Sequence, residues 1–294
     1  MPQPIRILHL SDTHAFGDDT RHYGRVDTAA QLARVLDAID LGERFDLVVV
    51  SGDVSEDGTE ESYRRIRAAV GAFAAERGAR TVFAMGNHDR RDAFRAVLGA
   101  GQDDAREPQP DGAPDRPVVS VSVVDGLRVV VLDSSIPRAG YGRIEPGDLD
   151  WLAAELEEPS ERGTVVVVHH APIPARTDLL QALALQHPAD LLDVLAGTDV
   201  RVVLSGHYHL PLVQLVRGLP VVVAPGVANI ARSVADPGEE SATTDAGAAI
   251  VELDDDGLRV VPFTIPAVPD EVFRFDGERV REIIAAAGPR PAVS

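Results

Sequence analysis

Two kinds of apolar pattern alternate along the chain. Short runs rich in Val, Ile and Leu occupy Ile5–Leu10, Leu47–Val50, 81–84, 165–168 and 200–204. Runs of that length and β-branched content predict buried strands. Between the early runs lie segments with helical spacing: 26–39, with Leu32, Val35, Leu36 and Ile39 on one face, 59–77, and the short Arg91–Leu98. Thr59 is placed to cap the second of these, with Glu60 and Glu61 favourable in its first turn. A Pro-, Asp- and Gly-rich stretch, 102–117, predicts a surface loop. A hairpin follows, 118–124 with Leu127–Leu132, turned at Asp125-Gly126. A helix is expected over 145–158 around Trp151. The last third then alternates strand signals at Leu212–Val216, 219–224, 248–253 and 258–262 with Gly turns. A final helix over 277–287 and a Pro-containing tail close the chain. β-α-β order followed by hairpins predicts an α/β fold in which two mixed sheets pack face to face with helices outside. The expected division is one large domain over 1–270 and a C-terminal helix and tail over 271–294.

Composition narrows the function. At 294 residues the chain can bury a large core. Its net charge of −19 argues against a nucleic-acid polymer or an anionic membrane as partner. All basic residues are Arg, which fits a GC-rich coding bias better than a mechanism. Without cysteine there is no disulfide, thiolate metal site or cysteine nucleophile. The polar first ten residues do not read as a signal peptide, and no stretch approaches a membrane span, so a cytoplasmic protein is expected.

Polar clusters follow five of the strand signals: Asp12-Thr13-His14, Gly52-Asp53, Gly86-Asn87-His88-Asp89, His169-His170 and Gly206-His207-Tyr208-His209. Ligands of α/β sheets gather at the carboxyl ends of strands. Singly, each residue has a plainer role: Asp12 could cap a turn, Asp53 bind amides, Asn87 sit in a turn, and His207 and His209 lie on a loop. Together, Asp12, His14, Asp53, Asn87, His169, His207 and His209 form a sulfur-free ligand set that suits Mn, Fe, Co, Ni or Zn. Asp12 and His14, like His207 and His209, have the spacing that points two side chains the same way. Asp53 can bridge two cations, and such a set fits ions about 3.5–4 Å apart. His9, inside a strand, reads as a hydrogen-bonded structural residue. His22 and His187 read as surface residues, although His22 could line a cleft. Asp18-Asp19, Asp103-Asp104 and 254–256 read as solvated loop charge.

In this order the five clusters resemble the calcineurin-like metallophosphoesterase superfamily, over about the first 225 residues. The runs 9–14 and 51–58, followed by Tyr63, resemble most closely the bacterial class III cyclic-nucleotide phosphodiesterases. The resemblance implies a four-layer α/β/β/α sandwich and a possible homodimer. It further implies a first metal on Asp12, His14, Asp53 and His209 and a second on Asp53, Asn87, His169 and His207. Mn or Fe would be the first choice, in divalent or mixed-valence form. It implies hydrolysis of 3′,5′-cyclic AMP or another small phosphodiester by a hydroxide shared between the ions. Asn87 and His88 would touch the substrate, and His88 would be the general acid. Asp89 and His170 would orient their neighbours, and His169 rather than His170 would be the ligand. Glycerophosphodiesterase or nucleotide pyrophosphohydrolase activity, and a non-catalytic metal scaffold, are the alternatives. A nucleobase-stacking residue is not assignable; Tyr23, Tyr141 and Tyr208 are the aromatic candidates. The negative net charge does not exclude an anionic substrate, because two divalent cations outweigh the two carboxylates and distant charge is screened beyond about 8 Å.

Overall fold

The computed structural model describes residues 3–40, 42–108, 116–232, 234, 238–267 and 271–287. The middle of the expected surface loop (109–115) and the Pro-containing tail (288–294) lie outside the described residues. The chain begins β1 (Ile5–Leu10), α1 (Thr28–Asp37), β2 (Leu47–Val50), α2 (Glu60–Arg77), β3 (Arg80–Phe83) and α3 (Arg91–Leu98). It continues with β4 (Ser120–Val124), β5 (Leu127–Leu132), α4 (Pro146–Glu155), β6 (Thr164–Val168), α5 (Asp178–Ala182), α6 (Pro188–Leu195) and β7 (Val200–Ser205). The last part holds β8 (Leu212–Val216), β9 (Leu219–Val223), β10 (Ile230–Ala231), β11 (Glu240–Thr243), β12 (Ala246–Asp254), β13 (Gly257–Ile265), β14 (Glu271–Phe275) and α7 (Gly277–Ala286).

Two sheets carry the architecture. The first has the order β13-β12-β1-β2-β3, with β1, β2 and β3 parallel and β12 antiparallel to β1. The second has the order β4-β5-β6-β7-β9-β8, parallel from β5 to β9 and flanked by antiparallel strands. A small sheet, β10-β11-β14, stands apart. Because side chains alternate along a strand, each large sheet offers two apolar faces. Ile7, Val49, Val129, Val167 and Leu204 pack between the sheets. Leu8, Val48 and Val50 pack outward against Leu32, Val35, Ile66 and Phe94 of α1 to α3. Val130, Val166 and Val203 pack outward against Leu152, Leu191 and Leu195 of α4 and α6. Both faces are covered, which is why the strands read as unbroken apolar runs. The four layers expected from the sequence are present.

Local signals held where they were strong. Thr59 caps α2 by accepting from the Ser62 amide at 3.2 Å. Asp125 and Gly126 both have positive φ, 49° and 82°, as a tight hairpin turn needs. The helix expected over 145–158 is shorter, starting with Pro146 at its first turn. Helices α5 and α6 and strands β10, β11 and β14 carried no readable signal. Strand β11, for one, reads Glu-Ser-Ala-Thr and lacks the apolar run that marks the equally short β2. Among the described residues no helix is long and apolar enough to cross a membrane.

Charge fastens one edge of the sandwich. Arg91 of α3 donates from Nε to Asp133 Oδ2 at 2.8 Å and from Nη2 to the Ser135 carbonyl at 2.8 Å. Asp133, just past β5, is buried and also accepts from the Val118 amide. Removing one partner of such a pair strands the other charge. Arg91→Ala is expected to destabilise the fold by roughly 3 kcal/mol, measured by chemical denaturation; a change near zero would show that the pair ties nothing together.

Candidate metal centre

The five polar clusters leave the carboxyl ends of β1, β2, β3, β6 and β7, all parallel strands within their sheets. Backbone hydrogen bonds knit the loops together: Asp12 N donates to Gly52 O at 3.1 Å, His14 N to Asp53 O at 2.9 Å, and Gly206 N to His169 O at 3.0 Å. Asp12, His14, Asp53, His207 and His209 have φ between 43° and 70°, the left-handed region that costs a non-glycine residue energy. They are five of eleven such residues among those described. Strain concentrated on these positions is held there by the surrounding structure.

The structure brings all seven proposed ligand side chains together. His169 Nε2 lies 3.2 Å from Asp53 Oδ2 and 4.0 Å from Asp12 Oδ1. His209 Nε2 lies 3.3 Å from Asp12 Oδ1 and 3.1 Å from His14 Nε2, which is itself 3.8 Å from Asp53 Oδ2. Ligand atoms of Asp12, His14 and His209 fall within 4.8 Å of one another, as do those of Asp12, Asp53 and His169. Asp12 accepts from the His207 amide at 3.1 Å, and Asp53 Oδ1 accepts from the His88 amide at 2.9 Å.

Each histidine uses one ring nitrogen outward and aims the other inward. His14 Nδ1 meets Glu56 Oε2 at 2.6 Å, and His169 Nδ1 meets Ser51 O at 2.9 Å. His209 Nδ1 meets Asn229 Oδ1 at 3.0 Å. His207 Nε2 meets Leu183 O at 2.9 Å, which leaves its Nδ1 for the centre. Donation to an outer oxygen fixes the tautomer and raises the basicity of the inner nitrogen, the usual support of a metal-bound imidazole. Asp12 and Asp53 sit below the ordinary carboxylate range. Burial pushes them up, but His209 and His169 respectively overcome it. For His88, desolvation works to lower the pKa, yet the Asp53 and Glu56 carboxylates raise it to about 10.

The donor chemistry fits a pair of cations. Asn87 Oδ1 is buried without a hydrogen-bond partner, and His169 Nε2 has only the Asp53 carboxylate beside it, at 3.2 Å. Buried polar atoms are ordinarily satisfied, so each needs a ligand. The two Nε2 atoms of His14 and His209 face each other at 3.1 Å, which a shared positive charge resolves.

Several readings gain detail. His9 is buried and its Nε2 lies 2.9 Å from Ser51 Oγ, the structural role expected. Asp89 accepts from the amides of Val54, Ser55 and Gly86 and from the Tyr63 hydroxyl, so it holds two loops in register. His170 Nδ1 lies 2.8 Å from Ser134 Oγ. His22 corrects the surface expectation: it is buried, 3.6 Å from Glu56, and its ring packs 4.7 Å from that of His14. His187 is exposed. Tyr208 is buried with its hydroxyl donating to Ile173 O, and Tyr141 does not line the cleft. The sequence reading missed Glu56, which meets both His14 and His88 Nδ1 (3.1 Å), and Asn229 behind His209. Glu56 lay within the run 51–58, where a carboxylate three residues past Asp53 was the available signal.

The family model of the calcineurin-like phosphoesterases matches residues 5–211. The chain is 41% identical over 226 residues to the cAMP/cGMP dual specificity phosphodiesterase of Mycobacterium tuberculosis, covering 76% of this chain and 68% of that one. It is 35% identical over 208 residues to the 3′,5′-cyclic adenosine monophosphate phosphodiesterase of Pseudomonas aeruginosa, covering 70% of each. Among solved structures, GAP50, the anchor in the inner membrane complex of Plasmodium, superposes with a TM-score of 0.58 over 98% of this chain and 96% of its own, at 15% identity. That likeness concerns the fold alone.

Close backbone approach is part of the site. A Cβ on Gly86 would lie 2.2 Å from Asp53 Oδ1 and 2.3 Å from Asp53 N. Gly86→Ala is therefore expected to displace Asp53 and lower the melting temperature by several degrees, an effect of about 1–3 kcal/mol. Unchanged melting would contradict the packing described.

Proposed function

The chain belongs to the calcineurin-like phosphoesterase family, and on that premise we propose that it is a metal-dependent phosphodiesterase of cyclic nucleotides, with 3′,5′-cyclic AMP as leading substrate. The observation that carries the reading is the convergence of Asp12, His14, Asp53, His169 and His209, with His207 beside His169, Asn87 lining the same cleft as His14 and Asp53, and Asn87 Oδ1 buried and unpartnered. Names borne by the relatives, one a cAMP/cGMP and another a cAMP phosphodiesterase, support the substrate class.

Asp12, His14, Asp53 and His209 would hold one ion, and Asp53, Asn87, His169 and His207 the other, with Asp53 common to both. Oxygen and imidazole donors favour manganese or iron, with zinc, cobalt or nickel also suited. When bound, such ions supply Lewis acidity at the phosphoryl oxygens and make water acidic near neutral pH.

The chain's own residues supply the rest. Glu56 occupies His88 Nδ1, so Nε2 is the atom that can meet a substrate. The His88 side chain is 39% exposed, in contrast to the buried Asp53 beside it, and it lines the cleft. It would bind the phosphoryl group and pass a proton to the departing 3′ oxygen, giving the 5′-monophosphate. Asn87, one residue before it, lines the same cleft and would touch the substrate as well.

Turnover of cyclic AMP, cyclic GMP, a glycerophosphodiester and a dinucleotide pyrophosphate, assayed side by side with added Mn, tests the assignment; preferred cleavage of either of the last two would overturn it. His88→Ala is expected to keep its full metal content while turnover falls roughly 10²–10⁴-fold, and full activity would remove it from the mechanism. Asn87→Ala is expected to retain one tightly held ion of the two by elemental analysis, with activity down at least about tenfold.

A further inference from the structure

Beyond the metal ligands the cleft has an aromatic wall, part of which, Phe273 and Phe275, lies past residue 211, where the family match ends. The cavity measures about 140 Å³ and is bounded opposite Asp53 and Asn87 by Tyr23, Phe273 and Phe275. Its rings form a continuous row leading away from the metal centre. Centroid distances are 4.7 Å from His14 to His22, 4.5 Å from His22 to Tyr23, and 4.9 Å from Tyr23 to Phe273. Phe273 and Phe275 then stack at 4.7 Å with 23° between their planes. Two residues apart on β14, they share one face of the strand. Tyr23 is 52% exposed and adopts a φ of 50°, a strained conformation that leaves its ring at the cleft. Glu240, the β11 partner of Phe275 across the ladder, lines the same cavity. It is buried and its carboxylate takes a hydrogen bond from the Thr177 hydroxyl, so the surface beside the rings is apolar.

A row of aromatic rings along an apolar cleft suits a flat aromatic ring as ligand. A purely structural cluster would not leave a tyrosine half exposed beside a catalytic cleft. We propose that Tyr23, Phe273 and Phe275 form the platform on which the nucleobase of the substrate stacks while its phosphodiester lies over the metal centre. This rests on the phosphodiesterase reading and adds to it what selects nucleotides over other small diesters. Tyr23 comes from the loop after β1 and Phe273 and Phe275 from β14, so the platform joins distant stretches of the chain.

The test compares cyclic AMP with 1-deoxyribose 3′,5′-cyclic phosphate, which keeps the cyclic diester and lacks the base. The metal-loaded wild-type protein is expected to favour cyclic AMP in kcat/KM by roughly tenfold or more, mainly through KM, as base–aromatic stacking of this kind delivers. Tyr23→Ala and Phe275→Ala should each shrink that preference several-fold, and Phe275→Trp should restore it. Because Tyr23 is exposed, its variant keeps the test decisive if the Phe275 truncation fails to fold. A preference that survives loss of the rings, equal losses on both substrates, or no wild-type preference at all would overturn the platform while leaving the phosphodiesterase standing. Turnover of neither compound would overturn the phosphodiesterase reading, and the platform with it.

Discussion

A carboxylate buried between two sheets sets the terms for the rest of this molecule. Asp53 is 2% exposed, its Oδ1 is engaged by the His88 amide, and its Oδ2 faces the inner nitrogens of His14 and His169. Beside it Asp12 is fully buried in the same manner. Two anions and a set of imidazoles cannot be withdrawn from water together unless something positive is shared among them. Protons can do this weakly. Divalent cations do it better, and the outward hydrogen bond on each histidine leaves one lone pair free for that purpose.

The fold has arranged the polypeptide around that need. Parallel strands deliver their carboxyl ends to one line, so loops far apart in sequence meet there. The apolar runs beneath them are buried on both faces and leave the loops little freedom. On this rigid base five of the seven proposed ligand residues are kept in left-handed conformations, and glycines let neighbouring loops approach to contact. Outer groups complete the support: Glu56 joins His14 to His88, Asn229 steadies His209, and Asp89 binds three amides at once. These contacts fix the donors in place, the preorganisation on which electrostatic catalysis depends.

What could be read from the sequence follows from which forces leave a linear trace. Strands such as Leu47–Val50 announce themselves because burial on both faces forces a continuous apolar run. The residues that meet at the cleft could be singled out because each follows such a run, and because their spacing resembles a known family. Glu56 and Asn229 were not assigned, since a supporting carboxylate or amide acquires its role only from the tertiary neighbour it meets. His22 misled for the same reason: polar surroundings in sequence became a buried position beside His14. Phe273 and Phe275 belong to a five-residue strand whose partner, β11, reads Glu-Ser-Ala-Thr and carries no strand signal. Tyr208 looked like a stacking residue and is instead sealed against Ile173.

The central claim is that Asp53 lies between two cations. Anomalous X-ray diffraction from manganese-loaded crystals tests it most directly. Two peaks about 3.5–4 Å apart are expected on either side of Asp53, one against Asn87 Oδ1 and the other against His14 and His209. A single peak, or density settled on His22 and Glu56 with Asn87 Oδ1 still bare, would contradict the account.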